Sequence, residues 1–370
     1  MMSKIFLTFL LIFIISPLSS QNNLDDLILQ LEEEMSKKTA YQEAKELRIK
    51  SLKSLLSEKV ISPENKYFIT NKLIAEYEYF SFNSSLFYIE ENLALAKKIG
   101  NDFFIKESTL RLAKLLATSG RYDESINLLE EINSSNLSKE LLNEYFNIFK
   151  RCYSELRTIS RVKNITEKYN KLYLTYKDSL NIQIANLNKN SKLYLSTSEQ
   201  NFRDEGNTIE ALKVNAKRLS LAKMGTREYA LVTFNRSYMS AEVDGNNLNQ
   251  KKFLILSAIS DIQASIKDNA SLANLAVIFF GEGNVDRAHK YINFSFEDAK
   301  FYNSKLRFLD ISNVLPVISK SYETKNRKQT NKLKKQLIFI SLLSLILMVA
   351  IFFIIKQNKK INQGKEYLKT

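Results

Sequence analysis

SGRYDESINLL (119–129), EGNTIEALKVN (205–215) and EGNVDRAHKYI (282–292) share one spacing. Each has a glycine (Gly120, Gly206, Gly283), then Tyr122, Thr208 or Val285 two residues on, then a small residue three further: Ser125, Ala211 or Ala288. A fourth segment, DGNNLNQKKFL (244–254), keeps Gly245 but carries Gln250 at the small position. Gly206, Gly245 and Gly283 are separated by 39 and 38 residues, and Gly120 precedes Gly206 by 86, about twice that unit. The physical reading is a helix–turn–helix. Glycine ends the first helix because a left-handed C-terminal position costs it nothing. An acidic residue suits the start of the second helix, and the small residue lets the two helices approach closely.

The helices before the glycines follow the same logic. Leu112, Ala113 and Leu116 precede Gly120, and Leu275, Ala276 and Phe279 hold matching places before Gly283. This order of small, large apolar, Gly, aromatic and Ala positions resembles the tetratricopeptide repeat (TPR). The expected repeat-packing positions are therefore Ala113, Gly120, Tyr122, Ser125, Gly206, Ala211, Gly245, Ala276, Gly283 and Ala288. Segment 73–99 reads as another unit, with Ser85 at the small position and no glycine.

Composition agrees with stacked helices. Eight Gly and three Pro in 370 residues leave too few turn formers for sheets or barrels. Helical periodicity recurs from residue 24 to 324, and Ser62-Pro63-Glu64 marks a fresh helix start. The expected fold class is all-α, a TPR-like α-solenoid followed by a single transmembrane helix. The expected divisions are a signal peptide (1–20), two TPR-like regions (21–157 and 158–324), a basic stalk (325–336), the span (337–355) and a cytoplasmic stub (356–370). The Asn- and Lys-rich stretch 158–190 reads as the most flexible point.

Lys4, the apolar run Ile5 to Ile15, and Pro17 ahead of Ser19 and Ser20 form a leader with a cleavage site before Gln21. Leu18 is larger than the residue favoured near such a cut, so an uncleaved anchor is the alternative. Leu337 to Ile355 is nineteen residues without a charge, its only polar side chains Ser341 and Ser344. At a 1.5 Å rise it covers about 28 Å, close to the roughly 30 Å hydrocarbon core. Six basic residues precede the span and five follow it, so charge does not orient it. The leader does, placing a large N-terminal domain in the periplasm on a single-pass inner-membrane anchor. Of the net +14, residues 325–370 hold +10 and Lys4 one more, leaving +3 for residues 5–324. A body so near neutrality has no strong phosphate-binding field, and direct nucleic-acid binding is not expected.

Catalytic chemistry finds few residues. His289 is the only histidine and reads as a helix-surface residue; Cys152, in a helical apolar pattern, reads as a buried thiol. GEGN (281–284) lacks the Lys-Ser/Thr of a phosphate loop and reads as a turn. Tyr77, Tyr79, Phe80 and Phe82 read as helix packing in preference to a peptide groove. Neither an enzyme nor a cofactor is expected.

The wider order of motifs resembles the membrane-protein family called domain of unknown function 6377. The likeness runs through RIKSLKSLL (48–56), EYEYFSFNSSLFYIEENLALAKKIG (76–100), LLATSGRYDESINLLEEI (115–132) and GNVDRAHKYINFSFEDAKFYNSKLRFLDISNVLPVI (283–318). It implies an exported repeat domain on one transmembrane helix, with a cytoplasmic regulatory, DNA-binding output beyond it. Here GKEYLKT (364–370) follows the span, which reads as a fragment or as a shortened member that signals through a partner. Two functions follow. One is a sensor that binds a protein or peptide partner and relays across the membrane through Leu337 to Ile355; the other is an envelope scaffold that sends no signal. Oligomerisation stays open.

Overall fold

Three turns repeat the same hydrogen bonds. The N–H after each glycine reaches back five residues: Arg121 to Leu116 O at 2.9 Å, Asn207 to Phe202 O at 2.8 Å and Asn284 to Phe279 O at 2.8 Å. Gly120, Gly206 and Gly283 have φ of 86°, 71° and 79°. This is the Schellman ending that a left-handed residue permits. Gly120 is also sterically confined, because a Cβ there would lie 3.3 Å from Leu306.

The computed structural model describes residues 24–58, 60–245 and 247–367. The leader expected at 1–20 lies outside them. The described residues are helical, with no strand among them. The helices are α1 (24–36), α2 (Lys38–Leu56), α3 (Pro63–Tyr77), α4 (Phe82–Ile99), α5 (Asp102–Thr118), α6 (Tyr122–Glu130), α7 (Lys139–Ile159) and α8 (Lys163–Ile184). They continue as α9 (Lys192–Asp204), α10 (Thr208–Leu221), α11 (Arg227–Asp244), α12 (Asn247–Gln263), α13 (Ser271–Gly281), α14 (Val285–Tyr302), α15 (Lys305–Ser312) and α16 (Leu315–Tyr367). Two compact units result, one ending at Leu315 and one beginning at Pro316.

Within the first unit each helix packs chiefly on its sequence neighbours, the hallmark of a solenoid. Local chemistry sets the hairpin boundaries. Ser62, Ser81, Asn101, Ser138, Ser191 and Thr226 cap the helices that follow them. Asn207 and Asn284, next to the turn glycines, cap α10 and α14 through Glu210 N at 3.3 Å and Arg287 N at 3.2 Å. The EGN triplet thus supplies both the end of one helix and the start of the next.

At the small positions the helices nearly touch. Ser125 is fully buried and its Oγ donates to Ala113 O at 2.7 Å across the α5–α6 hairpin. Cys152 of α7 donates in turn to Ser125 at 3.5 Å. Burial pushes its thiol up to about 11, so it sits there as packing. Around it Phe149 stacks on Tyr176, with ring centroids 4.3 Å apart and 6° between planes.

Where a flexible stretch was expected at 158–190, α8 lies along the length of α7. Its Tyr173, Leu180 and Ile184 are buried, an apolar stripe at helical spacing that outweighs the Asn and Lys content. The joint between α7 and α9 is unusual for another reason. Lys150 of α7 is buried, and its amine donates to Gln200 Oε1 at 3.2 Å instead of to a carboxylate.

The second unit is dominated by α16. Every residue from Leu337 to Ile355 is exposed. The hydroxyls of Ser341 and Ser344 donate to carbonyls four residues back, at 2.9 and 3.0 Å, so neither needs water. Among the described residues this is the one helix long and apolar enough to cross a membrane, with a mean hydropathy of 3.2 over its best window.

Burial lowers the Lys150 pKa to about 8, Asp204 pulling the other way. Between pH 8 and the ordinary lysine value, the folded state binds fewer protons than the unfolded one, so stability rises with pH across that window. Below pH 8 the whole penalty, on the order of 3 kcal/mol, stands. Lys150→Met should therefore raise the melting temperature at pH 7, with the advantage fading towards pH 10.5. Thermal scans of both proteins across that range measure it.

Candidate functional site

The stack closes on itself. Glu32 of α1 pairs with Arg287 at 3.3 Å and Lys290 at 3.1 Å on α14. Lys38 of α2 and Lys267, in the loop after α12, share the Asp298 carboxylate at 2.7 and 3.0 Å. Lys45 of α2 reaches Ala264 O at 3.4 Å. Backbone joins the two ends as well, with Lys267 N–H donating to Tyr79 O at 2.7 Å. Tyr302 is fully buried among Ile74, Phe82, Ile89, Leu115 and Leu116, and its hydroxyl donates to Glu78 O at 2.9 Å.

The buried Asp268 carries the contact on to α15. It accepts from Ser304 at 3.3 Å and Arg307 Nε at 3.2 Å. Arg307 also holds Asp310, one turn along, at 2.9 Å. Burial works against the Arg307 charge, but Asp268 and Asp310 outweigh it and raise its pKa. Burial lowers the pKa of Lys267 in the same way, with Asp298 opposing. In a low dielectric, pairing of this kind offsets much of the cost of burying such groups.

Closure leaves a cavity of about 620 Å³. One wall is Arg151 and Glu155 of α7; another is Phe234 and Tyr238 of α11. Ala273, Asn274 and Val277 of α13 face Leu306, Arg307, Asp310 and Ile311 of α15. Ala270, Ile292 and Val314 complete the lining. Helices α7, α11 and α13 are not consecutive in the chain, and the cavity draws lining residues from all three. The Phe234 and Tyr238 rings lie edge to face, 5.2 Å apart. Tyr238 donates to Asn274 Oδ1 at 3.2 Å, and burial raises its pKa. The cavity thus combines aliphatic and aromatic lining with charged side chains, and its volume falls within the roughly 300–1,000 Å³ of ligand sites.

The residues singled out by sequence lie elsewhere. Ala113, Ser125, Ala211, Ala276 and Ala288 are fully buried between helices, and Tyr122 is buried beside them. Gly120, Gly206 and Gly283 occupy inter-helix turns, and Gly245 ends α11 at φ 62°. None lines the cavity, although Gly120 touches Leu306, which does. Tyr77, Phe80 and Phe82 are core, and Arg227 stacks over Tyr79 at 4.7 Å. His289 is half-buried on α14. Arg151, Glu155, Tyr238, Asn274, Arg307 and Asp310 were missed. No local motif marks them, because helices distant in sequence bring them together.

An α-solenoid of helical hairpins, with a ligand-sized cavity lined by several of its helices, defines a TPR protein-interaction domain. The chain matches the family described as the SusR N-terminal TPR domain over residues 35–313, and it belongs to that family. No curated protein matches it significantly.

Removing the carboxylate from Asp298 leaves two cations, Lys38 and Lys267, in a nearly dry site. Asp298→Asn should cost about 3 kcal/mol and lower the urea midpoint. Asp178→Asn, exposed in the interior of α8, should change stability by less than about 0.5 kcal/mol.

Proposed function

We propose that the chain is a membrane-anchored sensor: its TPR body, in the periplasm, binds a protein or peptide partner, and α16 relays the event to the cytoplasm. The observation that carries this reading is one chain joining a TPR body to a helix whose residues 337–355 are apolar and exposed. TPR solenoids serve chiefly to bind other proteins, which supports the partner class. The resemblance to the domain of unknown function 6377 family supports the inner-membrane placement and an output at the level of transcription.

An envelope scaffold is the competing reading, and one pair of experiments separates the two. On intact spheroplasts, added protease should degrade the body up to residue 324 and spare an epitope placed after Ile355. Removing everything after Ile355 should abolish the cellular response while leaving partner capture intact. A body protected from protease would overturn the topology. Full function without the segment after Ile355 would favour the scaffold.

A further inference from the structure

The cavity carries two charges without an ion-pair partner among the described residues. Arg307 and Asp310 are matched to each other at 2.9 Å, but Arg151 and Glu155 each lack an ion pair among the described residues. They stand one helical turn apart on α7, in the order Arg then Glu, which is the poorer one for pairing within a helix. Arg151 is exposed and Glu155 half-buried. Both act on the same neighbour: burial chiefly raises the Tyr122 pKa, Glu155 adds to that, and Arg151 and Arg307 oppose it.

We propose that this cavity binds a short free peptide as a zwitterion, its carboxylate on Arg151 and its ammonium on Glu155, with aliphatic side chains against the apolar lining. The proposal rests on the reading of the chain as a receptor for a peptide and names the ligand class. Geometry supports the match. Side chains four residues apart on a helix have Cβ atoms about 6 Å apart. An extended dipeptide spans at most roughly 7 Å, so its two ends reach both charges at once. Val277, Leu306 and Ile311 line the same cavity and offer aliphatic contact. Tyr238 and the Arg307–Asp310 pair line the same cavity and offer it polar groups. A ligand with only one charge leaves either Arg151 or Glu155 unanswered, and a charge pair in a partly desolvated site discriminates strongly against that.

The test is titration calorimetry on the full chain in nanodiscs, with L-leucyl-L-leucine as probe and N-acetyl-leucyl-leucine amide as its uncharged counterpart. The free dipeptide should bind at least about tenfold more tightly than the blocked one. Arg151→Ala and Glu155→Gln should each weaken it by about tenfold or more. Neither residue supports the fold through an ion pair, so both variants should melt as the parent does. Arg151→Glu combined with Glu155→Arg should regain binding over the single variants, because a zwitterion can enter reversed. Val277→Trp, which fills the cavity, should abolish binding. No heat with the free dipeptide, equal binding of the blocked one, or indifference to both single variants overturns the proposal. Each of these failures leaves the membrane-sensor reading standing, since that is tested by topology and by removal of the segment after Ile355.

Discussion

Contact between the first and last hairpins is the constraint on which the rest of this body depends. A solenoid normally answers only to nearest neighbours, so its curvature and inner face are free to breathe. Here Glu32, Lys38 and Lys45 are tied to residues 264–298, and Tyr302 is set into the core of α3–α5. That tie fixes α14, and through Asp268 it fixes α15, a helix of only eight residues. Leu306, Arg307, Asp310 and Ile311 of that helix line the cavity, so the tie also supports one of its walls.

Closure is built from two kinds of interaction with different strengths. The aromatic insertion of Tyr302 is apolar burial, worth roughly 2–3 kcal/mol by the usual scale for a large side chain. The ion pairs split by exposure. Lys267 with Asp298 is almost dry, whereas Lys290 with Glu32 is half in water and contributes little by itself. The dry pair specifies how the ends meet more than it stabilises them, since desolvation consumes most of its attraction. α15 leads directly into α16, so the element that lines the cavity is continuous in sequence with the helix that would cross a membrane.

Sequence exposed the parts of this design that are local. Gly120, Gly206 and Gly283 announce turns because positive φ excludes most other residues, and Ser125 or Ala288 announces close packing because nothing larger fits. Leu337 to Ile355 announces itself by length alone. The Asn of EGN was equally legible as a helix cap and went unread. The α8 stripe of Tyr173, Leu180 and Ile184 was hidden beneath a polar composition. Closure was beyond reach, since Glu32 and Arg287 are 255 residues apart and the repeat motif that holds Arg287 says nothing about a partner on the first helix. The cavity inherits that opacity: its charges are ordinary helix-surface residues until closure makes them face one another.

Cross-linking addresses closure most directly. The chain's single cysteine, Cys152, is buried, so a Glu32→Cys, Lys290→Cys pair can be read against little background. The account predicts rapid intramolecular joining by a short bis-maleimide, seen as a faster-migrating monomer on a denaturing gel. Joining only between molecules, or only with a long flexible reagent, would mean that the ends stand apart, and would contradict it.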